Sequence, residues 1–189
     1  MAVSQSHGYF FITLGMVLSG WAMANGEDPA SRADGIALAL QGLNTFRSLG
    51  ARVSQTMYLT ALAEAHLAGG DTPLAQSSLD EAAMAIEITG ERLWLPELHR
   101  VRGDVALRAE LIDDAESQYR EAMTIAQRQS NRLLEVRAAV ALARCLESHG
   151  DGAAAREALQ PAVARFPEDT SVPDLRDAAA LLAQLPVSS

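Results

Sequence analysis

There is no lysine anywhere in this chain; all fifteen basic residues are arginine. That absence excludes a P-loop, whose Lys neutralises nucleotide phosphates, and any Schiff-base or kinase-type lysine chemistry. A single cysteine, Cys145, cannot form an internal disulfide and supplies no Cys-x-x-Cys pair. Its expected place is a small buried position, since a reactive thiol needs a positive neighbour and solvent access. Thirteen Gly and seven Pro are too sparse for a disordered or collagen-like chain, and β-branched residues are too few for an all-β one.

What remains favours helix. Of 189 residues, 35 are Ala and 25 are Leu, two strong helix formers. The net charge of −9 argues against generic nucleic-acid binding, which needs clustered positive charge. The densest Arg region, residues 91–144, holds nine Arg and nine acidic residues, a mixed surface rather than a basic stripe.

Tyr9 to Ala24 is apolar and ends in Ala22-Met23-Ala24, which mimics a secretory cleavage site. The expected positively charged leader is missing, because the first Arg is Arg32. The stretch is short for a bilayer span. The expectation is a first helix, in a cytoplasmic protein without membrane contact.

Self-similarity organises the chain. A ladder of small and large residues runs Ala75, Leu79, Ala82, Ile86, then Ala115, Tyr119, Ala122, Ala126, then Ala155, Leu159, Ala162, Phe166, at offsets of forty. Gly35, Ala39, Gly42 and Phe46 form a weaker first copy. Steps of four, three and four place each set on one helical stripe, where small residues let a second helix approach closely. Ahead of these ladders stand Leu18-Ser19, Leu62-Ala63-x-Ala65 and Leu142-Ala143-x-Cys145, each closed by a Gly at the same spacing.

Between paired ladders lie turns rich in breakers, Asn25 to Pro29, Gly69 to Pro73 and His149 to Gly152. Gly suits the left-handed C′ position, Asp or Thr the N-cap, and Pro the first helical turn. Helices are expected at 4–24, 29–48, 52–68, 72–89, 94–109, 112–129, 131–148, 152–165 and 172–185. The turn Glu110 to Asp113 lacks a Gly, so that repeat reads as the least regular.

The expected fold is therefore all-α: an α-solenoid of antiparallel helical hairpins over residues 1–189, one repeat domain. Its repeats fall at about 4–50, 51–90, 91–130 and 131–166, with a capping helix at 172–185. No hairpin of this size buries its apolar face alone, whereas stacked neighbours share a core.

The ladder resembles the tetratricopeptide repeat. Ala63, Gly103 and Ala143 match its close-contact position in the first helix. Ala75, Ala115 and Ala155, with Ala82, Ala122 and Ala162, match the second. The period of forty is longer than the usual repeat of about 34, and the usual Trp and closing Pro are missing, so HEAT-like hairpins stay open by length.

A second resemblance covers nearly the whole chain. It rests on Glu97 to Asp104, Ala115 to Gln129, Leu134 to Arg144 and Pro173 to Leu182, with Gly20 to Ala24 and Gly90 to Trp94 in accord. These runs are similar to the C-terminal repeat region of bacterial adenylate/guanylate cyclases and STAND-ATPase transcriptional regulators. Phe166 to Thr170 departs, since that family tends to have a Gly-containing, aromatic-rich turn there. The resemblance implies a sensor or scaffold role in signal transduction, with cyclase or ATPase chemistry confined to upstream domains.

Hairpin arrays bind partners on the face lined by each first helix. Repeat positions put Thr60, Glu64, Glu97, Arg100, Asp104, Arg137 and Arg144 there, with Arg100, Arg137 and Arg144 as clamps for a carboxylate or phosphate. The plainer reading is surface pairing, Glu97 with Arg100 and Arg100 with Asp104.

His7, His66, His99 and His149 show no metal-ligand spacing. His66 sits where the repeat usually buries an aromatic. Asp113-Asp114 suits a helix start. No Gly-x-Ser-x-Gly elbow occurs, and no nucleophile, base and orienting group can be assembled. The expected function is a protein-interaction module without catalysis, metal or cofactor. Its partner is a protein or peptide, or the upstream domains of the same regulator.

Overall fold

A computed structural model describes residues 2–167, 170 and 172–186, with side chains from Phe10 onward. All regular structure among them is helical. The chain divides into two compact units, residues 1–94 and 95–189. The first contains α1 (Ala2–Asn25), α2 (Arg32–Ser48), α3 (Gln55–Ala68) and α4 (Thr72–Thr89). The second contains α5 (Leu95–Arg108), α6 (Ile112–Arg128), α7 (Arg132–Ser148), α8 (Gly152–Val163) and α9 (Pro173–Gln184).

In the first unit α1 packs on α2 and α3, and α3 on α2 and α4. Glycine decides how close α1 and α2 come. A Cβ on Gly35 would lie 2.6 Å from the Ala24 amide nitrogen and 2.6 Å from the Gly20 carbonyl oxygen. Thus backbone meets backbone, and no side chain larger than hydrogen fits. Farther along, the Phe46 ring stands edge-on to Tyr58 at 4.6 Å between centroids, a favourable aromatic geometry.

In the second unit α5 packs on α6 and α7, α7 on α6, α8 and α9, and α8 on α9. The ladder residues Ala115, Tyr119, Ala155, Leu159 and Ala162 join Val136, Leu142, Cys145 and the α9 residues Leu175, Ala178 and Leu181 in one core. The far end of α9 is held by one side chain. Arg156 donates from Nη2 to the carbonyls of Leu182 (2.6 Å) and Leu185 (2.8 Å) and from Nε to that of Pro186 (2.7 Å). These carbonyls are orphan acceptors at a helix C-terminus, where a cation is favoured.

The turns repeat from the second hairpin on. The left-handed Gly expected at the first, Gly26, is corrected, since its φ is not positive and a 3-10 turn at Pro29–Ser31 follows it. Gly70, Glu110 and Gly150, spaced by forty, have φ of 82°, 60° and 86°. Each next amide donates back to a carbonyl five residues earlier: Asp71 to His66, Leu111 to Ala106 and Asp151 to Leu146. Asp71 and Asp151 also cap Leu74 N and Ala154 N at 3.0 and 2.9 Å, whereas Leu111 has no capping side chain. The expectation of irregularity at Glu110 is therefore corrected. The same turn forms without Gly, at a left-handed cost of about 1 kcal/mol.

Two helix starts shift for local reasons. Residues Pro29–Ser31 form a 3-10 turn because the Asp28 carboxylate accepts from Ala30 N (3.0 Å) and Ser31 Oγ (2.6 Å), so α2 begins at Arg32. Ser54 takes a left-handed φ of 70°, which delays α3 from 52 to Gln55. Glu168 and Asp169, in the run that departs from the resembled family, lie outside the described residues.

Candidate partner-binding face

The first helices of the second unit, α5 and α7, and the terminal α9 carry an ionic cluster. Glu97 on α5 and Arg137 on α7 occupy the same repeat position, forty residues apart. The Arg137 Nη1 lies 3.0 Å from Glu97 Oε2, and its Nε lies 3.3 Å from Asp174 Oδ1 on α9. Arg100 closes the other side of Glu97, with Nε 3.2 Å from each carboxylate oxygen and Nη2 3.0 Å from Oε2. Its Nη1 donates to Asp104 Oδ2 at 2.8 Å, and the Tyr119 hydroxyl on α6 donates to Asp104 Oδ1 at 2.8 Å.

The centre of this cluster is dry: Glu97 is 3% exposed and Arg100 8%. Burial alone would raise the Glu97 pKa, but the charges of Arg100 and Arg137 and the Arg100 hydrogen bonds hold it below its usual 4.5. Burial, then the Asp104 charge and hydrogen bond, push the Tyr119 phenol far up, so it stays a donor. A second buried carboxylate, Glu135, accepts from Gln127 Nε2 (2.9 Å) and Arg165 Nη1 (2.8 Å).

Of the seven residues expected on a binding face, Glu97, Arg100, Asp104 and Arg137 come together. The pairs Glu97–Arg100 and Arg100–Asp104 do form, the first buried inside the protein and the second partly exposed at Asp104. Arg144 stands apart from them, exposed and without a hydrogen bond or ion pair among the described residues. It lies two turns from Arg137 along the same face of α7, about 10 Å away along the axis. In the first unit, Thr60 is buried and its hydroxyl donates to the Met57 carbonyl at 2.9 Å. Glu64 accepts from Trp21 Nε1 at 2.8 Å.

Sequence reasoning missed Asp174, and it gave Tyr119 only a packing role. Tyr119 did leave a signal. The facing close-contact positions pair Ala63 with Leu79 and Ala143 with Leu159, but Gly103 with Tyr119. A Cβ on Gly103 would lie 2.6 Å from Tyr119 Cδ1. The ring needs the missing methyl, and Gly at that one repeat announces it.

The remaining candidates are quiet. Cys145 is buried, and burial with the Glu116 charge raises its thiol pKa. His66 is buried, and burial lowers its pKa below 6.5 against the opposing Asp71 charge. Among the described residues, no His, Cys, Asp and Glu group could hold a metal ion, and no helix is long and apolar enough to cross a membrane. No protein-family model matches the chain, and no curated protein is significantly similar to it.

Proposed function

We propose that the chain is a tetratricopeptide-like interaction module, an α-solenoid that acts as a cytoplasmic regulatory scaffold with no chemistry of its own. The observation that carries this reading is the forty-residue recurrence of one buried ladder and one turn geometry. A repeated hairpin is a way to build an extended helical face rather than a catalytic cavity.

Within the second unit, the face offered by α7 has a half-exposed Arg137 and an uncommitted Arg144. Arg100 is spent on Glu97 and Asp104, and Arg137 is engaged by Glu97 and Asp174, so recognition falls to Arg144. Its forked donors suit the carboxylate of an acidic peptide or protein. The upstream cyclase or ATPase domain of a larger regulator is the alternative partner, supported by the runs Glu97 to Asp104 and Leu134 to Arg144 that carry that resemblance.

The test is binding of the purified chain to arrays of acidic and neutral peptides. A subset of acidic peptides should bind, and Arg144→Glu should weaken them about tenfold, the scale of one charge-assisted hydrogen bond. Because Arg144 supports nothing else, the melting temperature should not move. Binding indifferent to that substitution, or no binding by any acidic peptide, rejects the assignment.

A further inference from the structure

Arg137 holds two carboxylates of unequal permanence. Glu97 meets its Nη1 at 3.0 Å, with a side chain only 4% exposed and gripped by Arg100 as well. Breaking that contact would leave a charge without its partner away from water, so it is fixed. Asp174 meets the Nε edge at 3.3 Å, longer than the charge-assisted contact of about 2.8 Å. Its side chain is 35% exposed and makes no other ion pair among the described residues. Water competes for both members of such a pair, which therefore adds little stability. Glu97 aims the guanidinium, and Asp174 fills its outward edge.

The docking of α9 does not depend on that carboxylate. Leu175, Ala178 and Leu181 sit in the core, and Arg156 holds the far end of the helix. The Asp174 side chain can therefore turn away while α9 stays in place. Charge then dictates exchange rather than addition. The cluster has two cations, Arg100 and Arg137, and three anions, Glu97, Asp104 and Asp174. A further carboxylate arriving with Asp174 in place meets an excess of negative charge and is repelled. One that replaces Asp174 leaves the balance as it was.

Arg144 sets the second requirement. It is exposed on the same face of α7, about 10 Å from Arg137 along the axis. A peptide in the polyproline II conformation repeats every three residues and advances about 3.1 Å per residue. Its side chains at i and i+3 thus share one side, about 9 Å apart. We propose that Asp174 is a built-in competitor for Arg137, and that the partner of α7 carries two acidic residues three positions apart, one for Arg144 and one that displaces Asp174. This rests on the acidic-peptide reading of Arg144 and adds to it a second contact that the chain itself contests.

Fluorescence anisotropy with two labelled Ala-Pro peptides tests this on the full chain. One carries Asp at two positions three apart, and the other has Asn in place of the second Asp. In the wild-type chain the second Asp should improve binding only about twofold, because it must evict Asp174. Asp174→Asn should raise that gain to about tenfold, the scale of one charge-assisted hydrogen bond no longer contested. The single-Asp peptide should stay within about twofold of its wild-type affinity, since Arg144 already holds it. Asp177→Asn removes the same charge one turn along α9, from an exposed carboxylate outside the Arg137 contact, and should change neither peptide. A misfolded variant cannot imitate the expected result, which is a gain. An Asp174→Asn chain with the wild-type ratio of affinities overturns the competitor role. So does an equal gain from Asp177→Asn, which would make the effect one of bulk charge, or a lower melting temperature with no gain, which would make Asp174 a structural tether. If Arg144→Glu weakens both peptides while Asp174→Asn changes nothing, recognition by Arg144 stands and only the competitor role falls. If neither peptide binds any of these chains, both fall.

Discussion

The two units solve the same packing problem with different polar chemistry. In residues 1–94 the described buried polar side chains are Thr13, Thr56, Thr60, His66 and Ser78, all hydroxyls or imidazole. In residues 95–189 they are Glu97, Arg100 and Glu135, all ionisable and paired with opposite charge or an amide. Glycine differs as well. Gly20 and Gly35 bring backbone onto backbone, whereas Gly103 makes room for one aromatic ring. The lesson is that a shared ladder specifies where helices touch, while the residues beside it decide whether the contact is tight and neutral or roomier and ionic.

The largest expected effect comes from breaking the ionic side of the contrast. Arg100→Met leaves Glu97 buried with Arg137 as its main partner and strips a donor from Asp104. Removing one member of a buried pair costs about 3–5 kcal/mol, because the other charge stays desolvated. Urea unfolding followed by circular dichroism should show that loss, and a midpoint within error of wild type would mean the cluster is wet. Replacing Glu97 and Arg100 together by Met and Leu should cost much less than Arg100→Met alone.

Next in size is a matched pair of methyl insertions. Gly35→Ala presses a Cβ into the Ala24 and Gly20 backbone, which no neighbouring side chain can relieve. Gly103→Ala presses into the Tyr119 ring, which can be shortened. Each should cost about 1–3 kcal/mol as overpacking. Only the second should be rescued, by Tyr119→Leu, because Ala with Leu is the pairing at Ala63/Leu79 and Ala143/Leu159. An additive double mutant would remove the ring as the reason for Gly103.

The helices, turns and ladders were legible because each rests on local rules. Ala75, Leu79, Ala115, Tyr119, Ala155 and Leu159 are all buried to 1% exposure or less, as their spacing required. Helix ends held within a few residues, with exceptions where Asp28 and Ser54 impose turns that no periodicity records. The candidate face was legible only in part. Glu97 and Arg100 look like a routine (i, i+3) surface pair until α7 brings Arg137 over them, and burial of this kind is invisible to spacing. Asp174 reaches Arg137 from a helix outside the forty-residue frame, so no repeat position pointed to it. Helix α1 was in view as an apolar run, but which side of it faces α2 depends on Gly20 meeting Gly35.

Acid should separate the two units by the pH at which each weakens, the smallest of the expected effects. His66 has a folded pKa below 6.5, so between those values the unfolded chain binds a proton that the folded chain refuses. Stability contributed by keeping it neutral is present above 6.5 and is lost as the pH falls through that value. Glu97 is also lowered, from 4.5, so its contribution persists through this window and fades only at more acid pH. Both tryptophans, Trp21 and Trp94, lie in residues 1–94, so their fluorescence reports that unit. The fluorescence-detected urea midpoint should therefore fall from pH 7 to pH 5, and His66→Phe, which fills the site without a titrating group, should flatten that fall. A slope unchanged by His66→Phe would show that another group in the first unit takes up the proton.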